Sequence, residues 1–372
     1  MLRIGIIGQH GFIGTHLYNT LGLYPEEFER VEFQKDYFTK DVEMDSFVAQ
    51  CDVIVHLAAM NRHNDPQTIY NTNLDLVEKL IASLSRTKTN AHIIMSSSSQ
   101  EERDNPYGKS KREGRELFVK WASQTDSVFT GMIIPNVFGP FGHPYYNSVV
   151  ATFSHQIANG ETPKIEVDGD LKLIYVGELV SEILKVIREK VNESIYKVAH
   201  TSEAKVSELL TLLQSYKSQY QERGEIPSIN NIFELNLFNT YRCYMDIPNY
   251  FPVKFTQHTD PRGSFVEVIR LGVGGQVSFS TTVPGITRGN HFHTRKIERF
   301  AVIKGKALIQ LRKIGTDEVL DFYLDGAEPA YVDMPIWYTH NIKNIGDEVL
   351  YTNFWINEFY DENDADTYFE EV

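Results

Sequence analysis

The chain has 372 residues, of which 42% are apolar, and carries a formal charge of −14 at pH 7. That length exceeds what one hydrophobic core usually fills, so two packed globular domains are expected. The acidic balance excludes nucleic acid or an anionic lipid surface as the main partner, because both demand a surplus of Lys and Arg, so any nucleotide has to be held locally.

The opening apolar run, Leu2 to Ile7, is closed by Gly8 and is too short for a secretory signal. No later run reaches membrane-spanning length, and a soluble cytoplasmic protein without membrane insertion is expected. Short β-branched runs follow at Arg3 to Ile7, Arg30 to Phe33, Val53 to Ala58, His92 to Ser96, Phe129 to Ile134 and Ile195 to Val198. Helical periods fall at Phe12 to Leu21, Ile69 to Leu84, Lys109 to Ala122 and Val206 to Tyr220. This alternation predicts βαβ units in a doubly wound parallel sheet. After Thr240 the texture changes. Pro248, Pro252, Pro261 and several glycines break the chain, and short alternating runs from Phe265 onward predict a β-barrel or sandwich. The expected fold is therefore α/β plus all-β, with an N-terminal domain at 1–246 and a C-terminal domain at 247–372. Cys51 and Cys243 have neither CxxC spacing nor a disulfide framework, and neither is a good catalytic candidate. The acidic tail from Asp361 to Glu371 reads as a solvated end or a capping segment.

In IGIIGQHGFIG, a strand runs into Gly8, Gly11 and Gly14, and a helix opens at Phe12 and Ile13. Glycines at that spacing let the turn close and the backbone approach a pyrophosphate, whose charge is met by the helix N-terminus. Further along, Tyr107 and Lys111 stand at YxxxK spacing, one helical turn apart on one face, where the ammonium can lower the phenol pKa from about 10 towards working pH.

The glycine turn, the block DVIVHLAA, Asn73 in YNTNLDLVEKL and YGKSK together resemble the extended short-chain dehydrogenase/reductase family over roughly residues 1 to 245. The resemblance implies a Rossmann-type domain whose cofactor cradle comprises Gly8, Gly11, Phe12, Ile13, Gly14, Leu57, Ala58, Ala59, Asn73, Tyr107 and Lys111. It also implies a catalytic hydroxyl from the run Ser96 to Ser99, assigned to Ser98, with Tyr107 as proton donor. Asn136, in IIPNVFGP, takes a position that usually faces substrate. Related dehydratases carry an acidic pair directly after the catalytic Thr; here Ser99 and Gln100 stand there, which disfavours dehydration. The second strand is expected to end in Phe33, Gln34 and Lys35, and Lys35 suits a 2′-phosphate, pointing to NADPH, with Asp36 as the competing signal for NAD.

In the C-terminal part, Gly285, His291, His293, Glu298 and Gly305 are followed by Gly326, Pro335, His340 and Asn344. HxH on a strand sends both imidazoles to one face, and three imidazoles with one carboxylate suit Zn²⁺, although Fe, Mn or Ni fit the same ligands. The spacing resembles the cupin family over about residues 250 to 360, which implies a jelly-roll barrel and metal ligands His291, His293, Glu298 and His340. Trp337 departs from the family pattern, in which glycine is common. DPRGSF and TRGNHFH also resemble the deoxysugar 3,5-epimerases, in which the His after RG is the base that removes a proton from a 4-keto sugar. Here that residue is His291, which is also the first metal ligand. Either a metal activates the substrate and another group such as Tyr338 or Lys296 takes the proton, or the metal is structural.

The pairing of halves resembles the bifunctional capsular-polysaccharide synthesis enzymes, in which a reductase precedes a zinc cupin. It implies a UDP-linked 2-acetamido-2,6-dideoxy-4-hexulose that is epimerised at C3 and then reduced at C4 with NADPH to the L-talose-configured sugar, on the route to N-acetyl-L-fucosamine. A homodimer is expected. Two other readings stay open: a 4-keto-sugar reductase with a non-catalytic cupin, and a regulatory protein that senses NADPH.

Overall fold

β-Branched runs separated by amphipathic helices assemble as a parallel sheet, since each crossover must bring the chain back in the same direction. In the computed structural model, which describes residues 1–372, the strands are β1 (Leu2–Ile7), β2 (Phe28–Val31), β3 (Val53–His56), β4 (His92–Ser98), β5 (Phe129–Ile134) and, after β6 (Asn136–Phe138) and β7 (Asp170–Tyr175), β8 (Glu193–Lys197). They pair in the order β2-β1-β3-β4-β5-β8, parallel throughout. β6 and β7 form a small separate sheet with β9 (Ser202–Lys205).

Helices cover both faces. On one, Ile4, Ile6, Val55 and Ile94 pack with Leu17 and Leu21 of α1 (Phe12–Leu21) and with Leu179, Ile183 and Ile187 of α6 (Val176–Glu189). On the other, Ile7, Ile54 and Ile93 pack with Phe47 and Val48 of α2 (Asp41–Gln50), Val77 and Leu80 of α3 (Pro66–Thr87), and Phe118 and Trp121 of α4 (Pro106–Thr125). Strand alternation delivers residues to both cores. All six expected strands and four expected helices are present within a few residues; α2 and α6 were not anticipated.

The chain divides into two compact units, Met1–Val149 with Asp168–Val206, and Val150–Val167 with Ser207–Val372. This division differs from the boundary expected at 246/247. α5 (Val149–Ala158), α7 (Val206–Tyr216), α8 (Ile232–Arg242) and α9 (Ile247–Tyr250) belong mainly to the second unit. The reason is a buried polar network. Arg299 and Asp333 of the barrel pair at 2.7 and 2.9 Å, the Tyr220 hydroxyl donates to Asp333 at 2.8 Å, and Arg242 donates to the Met334 carbonyl at 2.9 Å. Helical period alone does not reveal such partners.

The barrel unit holds β10 (Val253–Lys254), a hairpin of β11 (Gln257–Asp260) and β12 (Gly263–Val266), then β13 (Gln276–Thr282), β14 (Thr287–Phe292), β15 (Glu298–Lys304), β16 (Lys306–Lys313), β17 (Val319–Asp325), β18 (Ala330–Met334), β19 (Tyr338–Asn344), β20 (Leu350–Ile356) and β21 (Tyr368–Phe369). Two five-stranded antiparallel sheets, β10-β18-β15-β20-β13 and β17-β16-β19-β14-β21, enclose Phe300, Val302, Ile309, Leu311, Val332 and Ile342. This is the double-sheet form expected of a jelly roll. No helix is long and apolar enough to cross a membrane.

Candidate functional site

The glycine turn is built for close approach. Gly8 has φ +98°, and a Cβ there would sit 2.9 Å from the Ala58 nitrogen, while one on Gly14 would meet the Gly8 carbonyl oxygen at 2.1 Å. Neither position admits a side chain without the turn moving. Leu57 and Ala58 both donate to the Ile7 carbonyl at 2.9 Å, which holds the end of β3 against this turn. Gln9 supplies a contact that sequence reasoning missed: its side-chain oxygen accepts from the Phe33 N–H at 3.1 Å. β2 ends at Val31, two residues earlier than expected, and Gln9 stitches the segment that follows to the glycine turn. Lys35 is exposed just beyond, whereas Asp36 is paired with Lys40 at 2.6 Å.

Asn73 is buried and staples the segment after β3: it accepts from Met60 N at 2.7 Å and donates to the Met60 carbonyl and to Ser110 Oγ, each at 3.0 Å. Asn105 caps α4 through Gly108 N at 2.8 Å, with Pro106 opening the helix, so Tyr107 lies in the first turn and Lys111 one turn on. Lys111 Nζ donates to the Ser96 carbonyl at 2.8 Å and lies 5.8 Å from the centre of the Tyr107 ring. Burial pushes Lys111 down to about 8. Burial, with Tyr146 adding to it and Asn61 opposing, pushes Tyr107 up to about 12. Desolvation is the largest influence on the phenol in this geometry, so Tyr107 sits above its ordinary value as a neutral hydroxyl able to donate a proton.

The four serines have separate situations. Ser96 donates to the His56 carbonyl at 3.2 Å, Ser97 donates to Glu101, Ser99 is exposed, and Ser98 lies half-buried at the end of β4, accepting from Gln100 N at 3.2 Å. Glu101, the first carboxylate after the serines, is locked in a buried pair with Arg115 at 2.8 Å and is committed to structure. Asn136 is exposed at the first position of β6.

In the barrel, His291 and His340 are direct cross-strand partners, and Glu298 opens the neighbouring-sheet strand β15. The ligand atoms of His291, His293, Glu298 and His340 all lie within 4.8 Å of one another. A carbonyl only accepts, so the contacts of His293 Nδ1 with the Asp366 carbonyl and of His340 Nδ1 with the Tyr338 carbonyl put the protons on Nδ1. Each Nε2 lone pair then faces Glu298 Oε2, at 3.0 and 3.1 Å. Such a convergence of electron-rich atoms calls for a cation between them, and the residues fit one. Burial, reinforced by His340, brings His291 down to about 4, which keeps it in the neutral, ligating form. Of the two candidate bases, Lys296 is buried with its ammonium on the Ala365 carbonyl at 2.7 Å, and burial drives the Tyr338 phenol upward, which makes it a poor base. Trp337 has φ +61°, which explains why glycine is common there.

Residues 4–199 match the NAD-dependent epimerase/dehydratase family, and residues 258–368 match the polysaccharide biosynthesis C-terminal domain. The crystal structure of the capsular polysaccharide assembling protein CapF from Staphylococcus aureus is 34% identical, covers all of both chains and superposes with a TM-score of 0.63. This chain belongs to the CapF family of NAD-dependent epimerases/dehydratases. A curated relative, the UDP-2-acetamido-2,6-beta-L-arabino-hexul-4-ose reductase of Pseudomonas aeruginosa, is 29% identical over 99% of this chain and 98% of its own. The structure of RMD from Pseudomonas aeruginosa complexed with NADPH shares the fold, at 20% identity over 59% of this chain and 83% of that one, with a TM-score of 0.53.

Proposed function

We propose that the chain is a bifunctional nucleotide-sugar enzyme of polysaccharide biosynthesis, acting on a UDP-linked 2-acetamido-2,6-dideoxy-4-hexulose. The cupin unit inverts C3 and the reductase unit then converts the C4 ketone to the L-talose-configured alcohol, on the way to a capsular N-acetyl-L-fucosamine unit. The observation that carries the reading is the coexistence of an ordered Tyr107–Lys111 pair with a converged three-histidine, one-carboxylate cluster in a chain matched end to end by CapF and by a 4-keto-sugar reductase.

NADPH would supply hydride to C4, held by Gly8, Gly11, Phe12, Ile13 and Gly14, by Leu57, Ala58 and Ala59, and by Lys111, with Lys35 meeting the 2′-phosphate. A Zn²⁺ held by His291, His293, Glu298 and His340 would polarise an oxygen or stabilise the fold. At C4 the chain's own groups do the rest. Tyr107, a neutral phenol, gives its proton to the C4 oxygen; Ser98 donates a hydrogen bond to the same oxygen; buried Lys111 balances the charge left on the phenolate; Asn136 contacts the sugar. The C4 ketone acidifies the C3 proton and reduction abolishes that acidity, so epimerisation comes first. The proposal includes a homodimer working in the cytoplasm.

The test is NMR of the full chain with a UDP-4-keto-6-deoxy-HexNAc in D₂O without NADPH, for wild type and His291→Ala. Deuterium at C3 that depends on His291 supports the epimerase. Absence of exchange in wild type, with NADPH still oxidised on the same substrate, overturns it in favour of a plain reductase.

A further inference from the structure

The acidic tail reads in sequence as a solvated end or a capping segment, and the structure fastens it over the histidine–glutamate cluster. β21 pairs with β14 so that Phe369 lies opposite His291 and Tyr368 opposite Phe292. Glu370 N donates to the Asn290 carbonyl at 3.1 Å, and the Thr339 hydroxyl donates to the Glu370 carbonyl. Two residues before β21 sits Asp366, only 5% exposed and in the left-handed region at φ +42°. Its carboxylate accepts three consecutive backbone N–H groups, those of Thr294, Arg295 and Lys296, each at 3.0 Å, and the Thr294 hydroxyl at 2.7 Å. Its own carbonyl accepts from His293 Nδ1.

Those three amides belong to the loop that joins His293 to Glu298. A carboxylate that gathers three N–H donors fixes the path of that loop, and the carbonyl of the same residue fixes the tautomer and direction of the His293 ring. A solvated tail needs neither arrangement. From this geometry we infer that Asp366 is a positioning residue for the metal cluster: it holds the loop between two ligands and turns His293 Nε2 towards the cation. The inference rests on the metal reading given above.

The experiment uses the full-length protein stripped of metal, titrated with Zn²⁺ against a chromophoric chelator, and with Co²⁺ to read the visible absorption of a four-ligand site. Asp366→Ala lowers Zn²⁺ affinity about 10–100-fold, the range for groups that orient a ligand from behind, and alters the Co²⁺ spectrum. Asp366→Asn, which keeps one acceptor oxygen and tolerates a positive φ, falls between Ala and wild type, and it carries the comparison if the Ala variant does not fold. Zn²⁺ affinity and Co²⁺ spectrum unchanged in Asp366→Ala, even with a lower melting temperature of the metal-free protein, would make Asp366 a packing residue and overturn the inference alone. Wild-type protein that takes up neither ion overturns the metal reading as well.

Discussion

Arg115 forks onto Glu101, with Nε 2.9 Å from Oε1 and Nη2 2.8 Å from Oε2. Ser97 donates to the same carboxylate, and Arg115 also reaches the Ser194 carbonyl at 3.3 Å. The pair ties the turn after Ser98 to α4, which carries Tyr107 and Lys111, so the three expected catalytic groups are registered by one buried interaction. Removing one member leaves a buried charge unpaired, at a cost of about 3–5 kcal/mol. Arg115→Met therefore lowers the unfolding free energy of the nucleotide-binding unit by that amount in guanidinium titrations. The double variant Glu101→Gln/Arg115→Met recovers part of it, and a loss no larger than that of a surface substitution would show the pair is not structural.

Lys35 follows the segment stitched by Gln9 to the glycine turn, while its acidic neighbour Asp36 is engaged by Lys40. An exposed charge pair contributes up to about 1 kcal/mol, so Lys35→Ala raises KM for NADPH about fivefold and leaves KM for NADH unchanged. Steady-state kinetics with both cofactors decide it. Equal changes for the two would assign the 2′-phosphate to another residue.

Motif placement was legible in sequence because it depends on spacing along one stretch of chain: Tyr107 and Lys111 on one helix, His291 and His293 at the end of one strand, Gly8 to Gly14 in one turn. What sequence missed depends on groups far apart in the chain. Gln9 meets Phe33, Glu101 meets Arg115, and Asp366 meets the loop after His293, and each contact uses a polar residue with no periodic signal. α6 had a clear apolar stripe and could have been found; α2, whose apolar positions are not gathered on one face, offered little. The boundary at 247 was placed where prolines change the texture, but the Arg299–Asp333 network reaches Tyr220, just after α7, and Arg242 of α8, which fall in the barrel unit.

His56, at the end of β3, is fully buried, packs edge-on against Phe118 and leaves Nδ1 without a partner. Burial, with a smaller contribution from Lys111, holds it down to about 3, below its ordinary 6.5. A base whose folded pKa is depressed has its full stability above the unfolded pKa and loses it as pH falls from there towards the folded value. The window is therefore pH 6.5 down to about 3. At pH 5.5 the loss from this residue is about 1.4 kcal/mol. His56→Leu flattens the fall in unfolding free energy between pH 7 and 5.5 by that amount, and an unchanged slope would mean the imidazole is solvated.

Trp337 holds two opposing effects at one position. Its φ of +61° costs a non-glycine residue about 1–3 kcal/mol, while its ring is buried and stacks on Phe292 at 5.6 Å between centres, a contribution of about 3–5 kcal/mol if removed. Its N–H also donates to the His293 carbonyl at 2.8 Å, and a glycine keeps that bond. Packing outweighs strain, so Trp337→Gly destabilises the barrel unit by about 2 kcal/mol even though the backbone there favours glycine. Because the hydrogen bond to His293 survives, Zn²⁺ affinity should fall far less than in Asp366→Ala. Guanidinium unfolding of the metal-free chain, followed by tryptophan-independent circular dichroism, measures the first effect. A variant more stable than wild type would show that the strain at residue 337 exceeds what its indole contributes.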